Sequence, residues 1–237
     1  MGAVFDHKAW AGQSGPVYGD LAVGDITQLK VDGVLTDFIV VHQGNPSSAI
    51  YDASCDGTWL LAKEIYTLRE FDDVENGYNT SGIHYYLNGV RPSYFGSFID
   101  LLSSKAQNLI KEVKIPYYNA GDYYTKERGV AAKIFLLSNA ELNLTTYGNS
   151  DISTEGTKLD YFDSEYSAKP LAYYNGAVTF YWLRSGRKNY PAYAAYVYSR
   201  NDRTYGTIAS STYTNTLTMS NGVRPCMIMP SNQKIIS

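Results

Sequence analysis

The groups that usually carry chemistry are few and dispersed in this chain of 237 residues. His7, His42 and His84 form no pair at i,i+4 and none stands beside a cysteine, which is not how metal ligands are brought together. Cys55 and Cys226 lie far apart and neither belongs to a CxxC, so they read as buried or inert thiols, with a long-range disulfide left open. No nucleophile elbow, HExxH, Walker loop or GxGxxG occurs. His42 ends an apolar stretch beside Gln43 and is the one histidine that reads as facing a cleft. With the acids Glu70, Asp72, Asp73 and Glu75 it makes the best enzymatic alternative. Those acids are dense enough to offer oxygens to calcium, but EF-hand spacing is absent and a solvated loop is the simpler reading. The expectation is no enzyme, no catalytic residue, no metal and no cofactor.

The unusual chemistry is aromatic. The chain holds 23 Tyr against 8 Phe and 3 Trp. Nine of those tyrosines fall between Tyr173 and Tyr213: Tyr173, Tyr174, Tyr181, Tyr190, Tyr193, Tyr196, Tyr198, Tyr205 and Tyr213. Arg184, Arg187, Lys188, Arg200 and Arg203 accompany them, with Asp202 the one acid from Phe180 to Asn221. Rigid aromatics for area, small polar residues for adaptable hydrogen bonds and arginine for anchoring are the composition of a paratope. In Ala195-Tyr196-Val197-Tyr198-Ser199-Arg200 the large polar-tipped residues alternate with small ones, so a strand would put Tyr196, Tyr198 and Arg200 on one face.

Composition excludes several other classes. The net charge of −3 leaves no electrostatic footprint for nucleic acid. The longest apolar run, Ala192 to Tyr198, is far short of the ~20 residues that cross a bilayer as a helix. A basic start followed by an apolar stretch is absent from the N-terminus, which reads as no signal peptide. A cytoplasmic location and an outward route such as a virus particle both stay open.

These residues need elements to position them. Residues 1–22 are small, Gly-rich and aperiodic, and read as a flexible arm. Strands are expected over Ile26–Val31 and Phe38–His42, with Asp32-Gly33 as a hairpin signal. Trp59–Ile65 and Ala131–Leu137 read as buried strands. Thr80 or Ser81 caps a short helix through Ile83, Tyr86 and Leu87, and a second helix is expected from about Ile99 to Glu112. Asn139–Leu144 reads as one helical turn, Thr145–Pro170 as a long surface excursion. The pentapeptide Asn88-Gly89-Val90-Arg91-Pro92 recurs as Asn221-Gly222-Val223-Arg224-Pro225. Short strands plus two helices in one unit give an α+β fold.

A resemblance sharpens this. Trp182-Leu183-Arg184-Ser185 and the closing Asn221-Gly222-Val223-Arg224-Pro225-Cys226-Met227-Ile228-Met229-Pro230-Ser231 resemble a family of bacterial and phage domains. The last part of those domains runs from a WLRSP-like motif to a GVRPAL-like strand. Val23-Gly24-Asp25-Ile26, Asp37-Phe38-Ile39-Val40-Val41, Asp56-Gly57-Thr58-Trp59-Leu60-Leu61, Val113-Lys114-Ile115-Pro116-Tyr117 and Ala132–Ser138 are similar to the same family. Its members include the variable target proteins of diversity-generating retroelements, which have a C-type-lectin-like fold. In those systems, reverse transcription scatters asparagine codons of one C-terminal stretch into Tyr, Ser, Asp, Thr, Ala, Gly and Arg. Lys188, Met219 and Trp182 do not arise that way. Gly186 stands where the family usually has Pro, Cys226-Met227 where it has Ala-Leu, and Tyr181-Trp182 where it has a double Trp.

The resemblance implies one C-type-lectin-like domain over 23–237, with short mixed strands, two helices, a scaffold at 23–179 and a loop-rich variable region at 180–221. Its expected ligand-binding residues are Phe180, Tyr181, Arg187, Asn189, Tyr190, Tyr193, Tyr196 and Tyr198, then Arg200, Asn201, Asp202, Arg203, Tyr205, Tyr213 and Asn215. Arg184 and Arg224 are expected to be structural and to satisfy backbone carbonyls. The function expected is non-enzymatic binding of a macromolecular ligand, a protein or polymer on a cell surface, by a protein of a phage virion or bacterial surface. The alternatives are an enzyme on the same scaffold, or a structural phage or cell-surface component without a selective ligand.

Overall fold

The computed structural model describes residues 15–73, 77–89, 96–118, 126–144, 151–162, 168–187, 190–202, 207–216 and 218–236; for 126–128, 198–202 and 207–215 it describes the backbone alone. The architecture is α+β, dominated by two five-stranded sheets, with two short helices among the described residues.

The first sheet is antiparallel throughout. It comprises β1 (Ile26–Val31), β2 (Val34–Gln43), β3 (Thr58–Ala62), β14 (Cys226–Met229) and β7 (Ile134–Phe135), in that spatial order. The Asp32-Gly33 turn joins β1 to β2 with φ of 50° and 77°, the two left-handed positions a type I′ hairpin demands. Along β1 every second residue is buried, whereas all four residues of the interior strand β14 are 0% exposed because both of its faces are covered.

The second sheet runs β12 (Thr207–Thr216), β11 (Tyr193–Asp202), β10 (Tyr181–Gly186), β13 (Asn221–Val223) and β4 (Thr67–Arg69). Tyr181 pairs with Gly222 in parallel; the other pairings are antiparallel. Two hairpins complete the set: β5 (Val113–Tyr118) with β6 (Lys126–Ala132), and β8 (Tyr173–Tyr174) with β9 (Ala177–Val178). Pro116 sits in β5 where the register shifts between Ile115 and Tyr117, as a residue without an N–H requires.

The chain passes from the second sheet to the first at Arg224-Pro225. Arg224, 2% exposed, donates Nε to the Ala62 carbonyl at 2.8 Å, and its terminal nitrogens reach the carbonyls of Lys63 and Pro170 and the Tyr181 hydroxyl. The carbonyl-satisfying role expected for this arginine is the one observed.

Helix α1 (Gly82–Asn88) forms as its cap predicts: the Ser81 side chain accepts from the His84 N–H and Gly89 closes the helix at φ 71°. The second expected helix is divided. Ile99–Leu101 is a 3-10 turn, Leu102 bridges Val31 as an extended residue, and only Ser104–Leu109 is helical (α2), capped by Ser103. Helical spacing was present across the whole stretch; a mid-stretch cap and a β-bridge interrupt it. The strand expected over Ala131–Leu137 breaks at Lys133, because the Asn88 side chain accepts from the N–H groups of Lys133 and Ile134 and splits β6 from β7.

Two expectations are overturned at the surface. Residues 15–22, read as part of an arm, are built into the fold: Val17 bridges Lys234 and Tyr18 is 0% exposed. Residues 1–14 lie outside the described ones. The supposed surface excursion has an inner face, since Ile152, Ser153, Glu155, Leu159 and Phe162 are all buried. Backbone bonds from Leu159 to Glu141 and from Tyr161 to Val41 hold this segment down. No helix among the described residues is long and apolar enough to cross a membrane.

Candidate ligand-binding face

The face is built on a buried base. In β11, Ala194, Ala195, Tyr196 and Val197 are all buried, and β10 pairs with this part alone, at Tyr181↔Val197, Trp182↔Tyr196 and Gly186↔Ala194. Trp182 is fully buried, donates its indole N–H to the Arg69 carbonyl at 2.9 Å, and packs edge-on against Phe71 at 5.5 Å and Tyr196 at 6.3 Å. Phe180, half-buried, leans on Tyr196 at 5.5 Å.

Beneath this base lies a polar core centred on Arg184. The guanidinium donates to both oxygens of Glu141, at 2.6 Å and 2.5 Å, and to the carbonyls of Pro116 and Leu136. Glu141 also accepts from the Tyr51 hydroxyl at 2.8 Å and the Ser138 N–H at 2.9 Å. Burial works against the Arg184 charge, but the facing carboxylate outweighs it and pushes the guanidinium above its ordinary range. Burial, opposed by Arg184, holds the Glu155 carboxyl above the ordinary carboxylate range. Arg184 thus takes the structural role expected of it; its carboxylate partner, 43 residues away, left no local signal.

From the end of β10 the chain turns through a second cluster. Arg187 donates Nε to Asp151 at 2.9 Å, and its guanidinium lies 4.1 Å from the Tyr190 ring centre and 5.7 Å from that of Tyr193. The two tyrosine rings stand at 88° and 6.2 Å. Tyr190 is 46% exposed, while Arg187 and Tyr193 are intermediate. Three expected residues are therefore brought together, and Asp151, from the stretch expected to be a surface excursion, joins them. Gly186 explains its departure from the WLRSP pattern: its N–H donates to the Ser153 hydroxyl at 3.0 Å, a bond proline has no hydrogen to make.

Beyond the base, β11 continues with β12 as its one described partner, in unbroken register from Tyr193↔Thr216 to Asp202↔Thr207. Tyr198 stands opposite Ser211, Arg200 opposite Ala209, Asn201 opposite Ile208, Tyr213 opposite Tyr196 and Asn215 opposite Ala194. The side chains of Tyr198, Arg200, Asn201, Asp202, Tyr213 and Asn215 are outside those described, as are Asn189, Arg203 and Tyr205 altogether.

Two expected contact residues are corrected. Tyr181 is 2% exposed, with its hydroxyl donating to the Pro170 carbonyl and accepting from Arg224. Tyr196 is 7% exposed, wedged among Phe180, Trp182 and the strands on either side. Alternation predicted one exposed face here; the sheet is covered on both, so the large residue goes into the core.

Among the described residues, no contact joins His42 to the acids of the enzymatic alternative. His42 is 8% exposed, pairs Nδ1 with Asp160 at 2.9 Å and packs edge-on against Trp59. Burial holds it below the ordinary histidine value against the opposing pull of Asp160. Glu70, Asp72 and Asp73 instead line a cleft of about 340 Å³ with Arg69, Phe71, Gly82 and Ile83; Glu75 is outside the described residues. Cys55 and Cys226 are free and buried, with burial pushing both thiols up.

The model of a domain family of unknown function, DUF6273, matches residues 56–231. That is most of the chain, and the chain belongs to this family. No curated protein and no solved structure matches it.

Proposed function

We propose that this chain is a non-enzymatic ligand-binding protein of C-type-lectin-like type, a variable protein diversified by a retroelement. Its ligand is macromolecular, a protein or polymer on a cell surface, and it acts from a phage virion or a bacterial surface. The observation that supports this reading is the division of β11. Residues 194–197 are locked in the core, whereas 198–202 extend past the last β10 partner as a ribbon with β12. Variable surface needs an invariant support, and a strand that is core at one end and ribbon at the other supplies both.

The binding set on this reading comprises Arg187, Tyr190, Tyr193, Tyr198, Arg200, Asn201, Asp202, Tyr213 and Asn215, with Phe180 at the margin; Asn189, Arg203 and Tyr205 join it on sequence alone. Tyr181 and Tyr196 serve the scaffold. The test is to sequence sibling genes from one population. Substitutions confined to about 180–220 and sparing Trp182, Arg184 and Tyr196 support the reading; substitutions spread evenly along the chain overturn it.

A further inference from the structure

At the edge of the second sheet opposite β12, the residues leading into β4 and the β8–β9 hairpin wall an open cleft of about 420 Å³. Three tyrosines, Tyr66, Tyr173 and Tyr174, line it with Glu64, Ile65 and the Asn175-Gly176 turn. The walls are built rather than incidental. Asn175 and Gly176 have φ of 51° and 79°, the type I′ geometry that closes so short a hairpin. The Ile65 N–H donates to the Tyr173 carbonyl at 2.9 Å, and the Tyr173 N–H donates to Glu64 Oε2 at 3.1 Å. The carboxylate is thereby oriented at the foot of the hairpin. Tyr66 is held from behind by the edge-on Phe98 ring at 4.9 Å and by its own N–H to the Val223 carbonyl. Ile65 is buried beside Gly222, where a Cβ would come within 2.8 Å of it.

The charge balance is one-sided. Among the described residues, Glu64 is the one carboxylate in the lining, and no lysine, arginine or histidine lines the cleft. Neighbouring Lys63 directs its ammonium to Asp37 at 3.3 Å. Partial burial and, to a lesser degree, the negative charge of Asp32 push the Tyr66 phenol above its ordinary value. Aromatic faces carry negative quadrupoles and attract cations, most strongly weakly hydrated ones. A sugar, by contrast, needs converging donors and acceptors, and beyond the phenol groups the lining offers the Glu64 and Asn175 side chains.

We propose that this cleft binds an organic ammonium cation, its alkylated nitrogen seated against Tyr66, Tyr173 and Tyr174 and its charge matched by Glu64. The site stands independently of the ribbon and of any ligand bound there.

The probe is choline chloride, titrated into the full chain at constant ionic strength and followed by tyrosine fluorescence, with the uncharged isostere 3,3-dimethylbutan-1-ol and methyl glucoside alongside. Choline is expected to bind saturably and at least about tenfold more tightly than the isostere. Glu64→Gln, which keeps an acceptor for the Tyr173 N–H, is expected to weaken choline about tenfold with the melting temperature held. Tyr173→Leu, at a side chain 43% exposed, provides a second variant that leaves the core intact and is expected to weaken choline severalfold. No saturable choline signal, equal affinity for the isostere, undiminished binding by both variants, or displacement of choline by methyl glucoside each overturns the proposal.

Discussion

Glu141 and Arg184 meet as a two-pronged pair, Nη1 to Oε2 at 2.6 Å and Nη2 to Oε1 at 2.5 Å, with neither side chain exposed at all. The pair ties β10 to the turn after β7 and lies directly under the base of the ribbon. Taking two charges out of water is costly, and their attraction offsets that cost only while both remain. Arg184→Met removes one partner of this buried pair and is expected to cost about 3–5 kcal/mol. The double change Arg184→Met with Glu141→Leu is expected to recover part of that loss. Urea unfolding of the single and double variants checks both; a single variant as stable as the parent would show that the pair does not anchor the scaffold.

The core and the ribbon are expected to separate in an alanine scan across 186–220 read for both affinity and melting temperature. Tyr196→Ala empties a packed site between Phe180 and Trp182 and is expected to cost about 3–5 kcal/mol of stability. Tyr190→Ala, at a residue 46% exposed, is expected to leave stability within about 1 kcal/mol of the parent and, where it contacts ligand, to weaken binding by about 1–3 kcal/mol. The reverse pattern, Tyr190 costing fold and Tyr196 costing only affinity, would remove the division on which the binding reading rests.

Gly186→Pro restores the residue usual in the resembling family, yet here it is expected to destabilise by about 1–3 kcal/mol, because the Ser153 hydroxyl loses its buried donor. A neutral or stabilising result in thermal unfolding would mean that the Gly186–Ser153 bond is dispensable.

Burial holds His84 at about 4, below the ordinary 6.5, so the folded chain keeps it neutral while the unfolded chain protonates it first. Between those two values the unfolded state binds more protons, so stability rises with pH; acidification from about pH 6.5 to about pH 4 removes on the order of 3 kcal/mol, and His84 contributes no further change below that. His84→Phe should flatten this window in urea titrations at stepped pH. An unchanged slope would assign the acid sensitivity to other groups.

The described residues contain no group of three or more histidine, cysteine, aspartate or glutamate side chains placed to hold a metal. Chelation is therefore expected to move the melting temperature by less than about 2 °C and to leave the proposed ligand capture by the ribbon intact, unlike proteins whose folding is coupled to metal. A drop of many degrees in EDTA would point to a metal site outside those residues.

Features with short-range causes were legible in the chain. Asp32-Gly33 specifies its turn by itself, because few residues tolerate two left-handed positions in succession. Ser81 and Gly89 bound α1 through bonds within one helical turn. The run from Trp59 reads as a buried strand because its apolar residues leave no polar face to expose, and Thr58–Ala62 is buried throughout. The second helix was only half legible: its periodicity was real, but Ser103 caps in the middle of it and Leu102 is claimed by Val31 from another part of the chain.

The same pentapeptide shows where local reading ends. At 88–89 it closes α1, with Gly89 at φ 71°; at 221–223 it is strand β13, paired with β4. Nothing within five residues distinguishes the two, so the neighbours decide. The sequence alone determined an α+β chain without catalytic motifs and with tyrosine and arginine concentrated in its last quarter. Tertiary structure decided which of those tyrosines are surface. Tyr196 and Tyr181 have the composition of contact residues, but β11 and β10 are covered on both sides where they lie, and a covered aromatic gains more from packing than from water. Tertiary structure likewise chose Glu141 for Arg184 and Asp151 for Arg187, pairings across 43 and 36 residues that only the packing of separate strands could bring within hydrogen-bond reach.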